Sequence, residues 1–560
     1  MNTSSQNTRR LTILLFTALI LILPLLGYIV FMADKILLIF GLAAIGLILF
    51  SILRPEASTL VVVFVLYTNM AVVAKTLHGV PDVLAGAFSL LLCLPLANFL
   101  FIKRQKLIID YVTLLMIVLL AVTVASSFFA IDQDLAFLWV LNYLLEGVAI
   151  YFLFVNVIRT QRVLKKVIWV LVIAGAMLGS FSLYQEFFND YHTTFGGLAQ
   201  RSKEVEFEDE FYGDIYGQGK FFKTRDKVRG KNRSGGPLGK ANRYAQIMLV
   251  LVPLGLFRYW SEDKKRLKYF AAIGTVIILS GGVLLTYSRG GFLTLVLMVL
   301  LLLIFRYVRF HQLLLSILVL IVLMTVAAPG YLVRIQSIQG VEGLFSNSAA
   351  VRPDGTTKGR LTEMLAALMA FLDYPILGVG PSQYTPYYSE EYQNDPDIAF
   401  RFLGRKRRAH ILYFELAAET GILGIGTFLA IAILVMYRLW TVRRKTIAEH
   451  PVFANMVTSL WFSMVAYLGT AVFLHLSYQR YYWFVVALSG AAIQIYENEI
   501  KEAKSKQPAN KKLKTQSVFS QRKPALAGNG LINWENPKKS VNDSTAYHPA
   551  NPIFRNGSSE

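Results

Sequence analysis

Cysteine is nearly absent from this 560-residue chain: Cys93 is its only one. A disulfide within the chain is therefore impossible, and because Cys93 sits inside an apolar run, cysteine usage says nothing about compartment. Charge is scarce too. Asp, Glu, Lys and Arg make up 16% of the residues, against roughly 25% in soluble domains, while 55% are hydrophobic. That balance excludes an ordinary water-soluble domain and points to a polytopic membrane protein. Acidic residues are the scarcer sign, 35 against 56 basic ones, for a formal net charge of +21. Such an excess would suit nucleic acid, but the Lys and Arg lie mostly in short loops between apolar runs. The charge is read as a topology signal instead, and no nucleic-acid partner is expected.

Apolar runs of membrane length are what the chain has in quantity. About fourteen are readable, at 11–32, 36–53, 57–76, 82–102, 108–129, 135–157, 164–186, 242–259, 267–287, 290–306, 311–329, 411–437, 452–474 and 479–496. Each is near the 17–25 residues a helix needs to cross a bilayer. Arg9 and Arg10 precede the first run, which lacks a small-residue cleavage site, so it is expected to remain as a span. Basic clusters fall in alternate loops: Arg9/Arg10, Arg54, Lys103/Arg104/Lys106, Arg159/Arg162/Lys165/Lys166, Lys264/Lys265/Arg266, Arg306/Arg309 and Arg443/Arg444/Lys445. The positive-inside rule then puts both termini in the cytoplasm, and an even number of spans agrees.

The expected fold is all-α, a transmembrane bundle of about 14 helices with two long extracytoplasmic loops. The segments are N-terminal spans (1–186), a first outer loop (187–241), central spans (242–329), a large outer loop (330–410), C-terminal spans (411–497) and a disordered cytoplasmic tail (498–560).

The chemistry is expected in the outer loops. The first segregates its charge, Glu204, Glu206, Glu208, Asp209, Glu210 and Asp214 preceding a basic run that ends in RSGGPLGKANRYA. The acidic part shows no metal-ligand spacing. The glycines before Asn242 and Arg243 suit either an anion site or the anchoring of a helix start. Arg289, in LLTYSRGGFL, lies between two spans, where an isolated Arg must be paired, snorkel or face a polar cavity. In the second loop Leu361, Met364, Leu365, Leu368 and Leu372 recur at helical spacing until Asp373, Tyr374 and Pro375 stop the pattern. About 14 residues span only roughly 20 Å, so this helix should lie on the membrane surface or cap the bundle, with Arg360 in its first turn. The turn GVGPSQY, with Gly380, allows close backbone approach to a ligand. His410 is placed at the start of the twelfth span, with Tyr413, Phe414, Ala417 and Gly421 on its face and Glu415 and Glu419 on the other. An imidazole at a water–membrane boundary can act as a base, and Arg405, Lys406, Arg407 and Arg408 would gather anions beside it. Glu146 is the clearest mid-span charge, a functional candidate or a structural hydrogen-bonding group.

SRGG before a span, GR opening an amphipathic helix, DYPILGVGPSQY and HILYFELAAETGILG together resemble the bacterial O-antigen ligase and O-antigen polymerase family. The resemblance covers about 230–430; Ile411 departs from it, standing where the family often has Asn. It implies transfer of a glycan from a polyprenyl-pyrophosphate carrier, without metal or other cofactor, on the periplasmic face of the bacterial inner membrane. The acceptor would be a sugar hydroxyl on lipid A–core or on another carrier-linked unit. His410 takes the place of the family's outer-loop His. Arg289, Arg360 and Arg233 take those of its pyrophosphate-binding arginines, with Arg408, Tyr413 and Gly380 as further candidate substrate contacts. Departure of a glycan leaves charge on a diphosphate, which guanidinium groups bind bidentately. The alternatives are a lipid-linked sugar flippase, which would place paired polar residues near the midplane of broken helices, and a non-catalytic assembly partner.

Overall fold

A computed structural model of the chain describes residues 54–80, 91–199, 227–228, 231–309, 355–387, 408–475 and 479–501, with Gly46, Ser51, His311, Gln312, Leu314, Leu318, Ile321, Val322, Glu391, Tyr392 and Asp395. All of them belong to one unit, Met1–Glu502. The expected span 11–32, most of 36–53 and 311–329, the acidic stretch 204–214, Arg405–Arg407 and the tail beyond 501 lie outside the described residues.

The described residues are helical almost throughout, apart from a two-rung antiparallel ladder of β1 (Lys227–Val228) with β2 (Lys231–Asn232). Pro55 opens α1 (Pro55–Tyr67), as its fixed φ allows at a first turn. Asn69, at φ 62°, then breaks the chain into α2 (Met70–His78), bent by 58°. After α3 (Cys93–Ile102), three helices begin on side-chain caps, each accepting from the backbone N–H three residues on. Asp110 caps α4 (Tyr111–Ser127), Asp132 caps α5 (Gln133–Val157) and Thr160 caps α6 (Gln161–Phe187). Next come α7 (Ala241–Ser261), α8 (Lys265–Thr286), α9 (Arg289–Ile304), α10 (Gly355–Asp373), the single turn α11 (Tyr384–Tyr387), α12 (Leu412–Thr446), α13 (Pro451–Phe473) and α14 (Arg480–Ile495).

Among the described residues, five helices, α5, α6, α8, α12 and α13, are long and apolar enough to cross a membrane, six if α1 and α2 count as one bent span. The chain is a multi-pass membrane protein. Its outer helices turn apolar side chains outward, such as Leu114, Ile117 and Val118 on α4 and Leu293, Leu297 and Leu300 on α9. That is what contact with acyl chains requires. α7 and α14 fill the middle: α14 is buried from Arg480 to Ile493, and α7 packs along α13. The run expected at 479–496 is thus a core helix of 16 residues, and residues 496–501, expected partly as tail, continue it as a π-helical turn.

One end of the bundle is tied by polar side chains. Arg480 donates to Asn69 Oδ1 at 2.5 Å, and its other terminal nitrogen lies 3.8 Å from Glu146 Oε1. Asn69 donates in turn to the carbonyl of Pro237 at 3.3 Å. Glu146, the clearest mid-span charge in the sequence, therefore has an ion-pair partner in Arg480.

Two expectations are corrected here. α10 has 19 residues rather than about 14, and its buried face is its small one. Gly359, Thr362, Glu363, Ala366, Ala367 and Ala370 pack on the protein, while Leu361, Met364, Leu365 and Leu368 are half-buried and Leu372 is exposed. The leucine stripe faces away because the small residues let the helix approach α12 closely. The GVGPSQY turn does make a close backbone approach, but to α12. Val379 N–H donates to Ala418 O at 2.9 Å, Gly380 N–H to Glu419 O at 3.0 Å and Ile422 N–H to Pro375 O at 2.8 Å. These bonds exploit a break in α12 at Gly421 (φ 61°, ψ −167°). A Cβ at Gly421 would sit 2.1 Å from Ile376 O, and one at Gly378 (φ 70°) 2.4 Å from Ala418 O, so both positions demand glycine.

Candidate active site

Four helices meet at a recess open to solvent, with about 330 Å³ of space within and above it. Its walls include Asn242 from the start of α7, Ser288 to Gly291 from the start of α9, Arg360 from α10, and Thr470, Phe473 and Leu474 from the end of α13. Ser288 caps α9 by accepting from Gly291 N–H at 3.2 Å. The positive end of the α9 dipole and the Arg289 guanidinium favour the same ligand, an anion. Gly290 is needed for the fit, since a Cβ there would lie 2.8 Å from the Phe473 ring. Arg233 stands behind this wall. It is buried, its Nε donates to Thr286 O at 2.7 Å and its Nη2 to Asn242 Oδ1 at 2.7 Å. Its guanidinium braces the α8–α9 turn and orients the Asn242 amide, whereas Arg289 and Arg360 line the recess themselves.

His410 is reached from Arg360 along α10. Glu363, one turn further on, is fully buried (0% exposed), and its Oε2 lies 3.7 Å from His410 Nε2. His410 is not on α12, as the sequence suggested. It has φ 52°, and Ile411, extended, is the residue before the helix begins at Leu412. A helical wheel drawn through His410 therefore misassigns its neighbours. They are Glu363 and His475, whose ring stacks on it with centroids 6.0 Å apart. His475 is held well below the ordinary imidazole range by burial, reinforced by Arg243 and Arg408. It is neutral, so the pair does not set two positive charges face to face. Arg243 anchors it by donating to the His475 carbonyl.

Glu415 and Glu419 were expected to point away from this region. Glu415 instead takes the guanidinium of Arg408 in an ion pair 7% and 3% exposed, accepts from Ala409 N–H at 2.8 Å, and lies 3.9 Å from His475 Nδ1. The turn carrying His410 is therefore held from below by Arg408 and Glu415. A second recess of about 210 Å³ opens beside this pair, with Trp139, Arg408, Glu415 and Glu419 in its walls. Removing one partner of a buried pair leaves an unanswered charge, so Glu415→Ala should cost about 3–5 kcal/mol of stability. Glu415→Gln, which can still accept, should cost less. A thermal-unfolding series read by size-exclusion chromatography in detergent checks this; an unchanged midpoint for Glu415→Ala would count against the pair. Tyr413 donates to Leu468 O at 2.8 Å, tying α12 to α13, and Gly380 (φ 108°) is occupied by its bond to Glu419 O.

Sequence reasoning named Arg289 and Arg360, which line one recess, and His410, which lies against Glu363 of α10. It missed Glu363 and His475. Glu363 was detectable as a carboxylate inside a second, small-residue stripe on α10. His475 follows a span without a motif, and only the fold brings it to His410.

No curated protein matches the chain. Residues 274–429 match a family model described as O-Antigen ligase. That stretch holds Arg289, Arg360, Glu363, His410 and the broken start of α12, while Asn242 and His475 lie outside it. Over residues 274–429 the chain is thus similar to the O-antigen ligase family.

Proposed function

We propose that this protein transfers a glycan from a polyprenyl-diphosphate carrier to a sugar hydroxyl at the outer face of the plasma membrane. The family implies a membrane glycosyltransferase of ligase or polymerase type acting on lipid-linked glycans. The observation that carries the finer reading is the single recess shared by Arg289, Arg360 and Asn242, beside the face of α10 that reaches His410. Arg289 and Arg360 bind the diphosphate bidentately, and Arg233 acts through Asn242. His410 takes the proton of the acceptor hydroxyl. That oxygen attacks the anomeric carbon, and the sugar–phosphate bond breaks with its electron pair on the diphosphate. Arg408, Tyr413 and Gly380 shape the site around these groups. Both termini are cytoplasmic in this reading, by the distribution of Lys and Arg.

The Arg480–Glu146 pair beside the broken α1–α2 helix favours a second reading, a lipid-linked sugar flippase. Purified protein in vesicles, given the lipid-linked glycan fraction extracted from the source cells, separates the two. Transfer yields lengthened or relocated glycan with free polyprenyl diphosphate. Movement of donor between leaflets with no new glycosidic bond would overturn the transferase reading.

A further inference from the structure

Glu363 is a fully buried carboxylate on the face of α10 that meets His410. Its neighbours on the buried face of α10 are small and neutral: Ala366, Ala367 and Ala370 close against Tyr384, Ala409 and Ala418, and Tyr384 Oη donates to the Glu363 backbone carbonyl, leaving the carboxylate itself for other partners. An ionised carboxylate withdrawn from water is costly unless a cation or donors answer it. His410 is within ion-pair reach at 3.7 Å. The imidazole is itself constrained, with a left-handed backbone that non-glycine residues seldom adopt, and with the His475 ring against it.

We propose that Glu363 is a positioning residue for His410: it fixes the ring and stabilises the imidazolium that forms during transfer. The inference rests on His410 being the base of the proposed reaction. With Nε2 carrying its hydrogen toward Glu363, the lone pair is left on Nδ1. The acceptor O–H bond breaks, its proton goes to Nδ1, and its electron pair forms the new bond to the sugar. The charged groups facing the adjoining His475 are Arg243, Arg408, Lys240 and Glu415, and Arg360 lies one turn before Glu363 on α10. Arg408 is answered by Glu415, His475 is neutral, and Arg243 is anchored on the His475 carbonyl. Arg360 lines the recess. Glu363 is thus the carboxylate facing His410 from α10, while Glu415 faces Arg408.

The test measures release of polyprenyl diphosphate by full-length protein in vesicles, with the extracted lipid-linked glycan fraction as donor and acceptor pool. Glu363→Gln keeps the volume and removes the charge. Its kcat should fall at least about tenfold, the donor KM should stay put, and the acid limb of the pH–rate profile should move to lower pH. A merely structural carboxylate would leave that limb in place. Parent-like kcat and limb for Glu363→Gln, with His410→Ala inactive, would overturn the inference alone; an active His410→Ala would overturn the reading beneath it. If Glu363→Gln does not accumulate, Glu363→Asp decides. It keeps the charge one methylene further back, so a lowered kcat with the parental acid limb supports the role, and a parental kcat or a displaced limb refutes it.

Discussion

His410→Ala is expected to lose about 10²–10⁴-fold in transfer rate while the protein still inserts and accumulates. The loss follows from chemistry. A sugar hydroxyl is a weak nucleophile, and among the described residues the other imidazole beside His410, that of His475, is buried. The unchanged accumulation follows from the fold. The His410 side chain is 33% exposed, lies outside α12, and is not one of the groups that pin the turn, a task that falls to Arg408, Ala409 and Glu415. Its positive φ argues for His410→Asn as a companion, since Asn adopts that backbone more readily than Ala. Turnover by either variant at a rate near the parent's would remove His410 from the base role. In the parent, activity should fall as acid protonates the imidazole, because only the neutral ring accepts a proton.

Arg289→Gln and Arg360→Gln should each lower the rate by about 10²–10³, the usual consequence of losing one donor to a developing oxyanion. Both variants should remain folded. Ser288, not Arg289, caps α9, and a cation at a helix N-terminus gains nothing from the dipole. The double variant should lose less than the product of the two single losses, because both side chains address one diphosphate. Lysine at either position restores the charge but not the planar fork, and should recover only part of the rate. A steady-state series on purified protein with extracted lipid-linked donor measures all of these. Product effects that multiply cleanly would mean that the two arginines serve separate ligands, contrary to the shared recess.

The membrane character, the helical fold and the residues with the strongest individual signals were legible in the chain. Arg289 and Arg360 stood out because a guanidinium among apolar segments needs a reason, and a family motif supported both. What the chain could not display was neighbourhood. A helical wheel placed His410 on α12, but Arg408 and Ala409 bind Glu415 and pull the preceding residues out of helical geometry, so the wheel had no helix under it. The leucine repeat of α10 has the stronger periodic signal, yet the weaker stripe of Gly, Thr and Ala lies against the protein. Hydropathy rewards large side chains, whereas close helix contact rewards small ones. Arg480 gave no signal of its role because its partners, Asn69 and Glu146, are hundreds of positions away in the chain.

The backbone bonds from Val379, Gly380 and Ile422 make α10 and the broken start of α12 a single clamp. Arg360, Glu363 and His410 ride on that clamp, whereas Arg289 and Asn242 belong to α9 and α7. A bulky lipid-borne substrate that forces the recess wider must therefore part the two arginines from each other, and leave Arg360 and His410 travelling together. Cross-links would then be unequal in effect, a staple between α9 and α10 obstructing turnover and one between α10 and α12 sparing it.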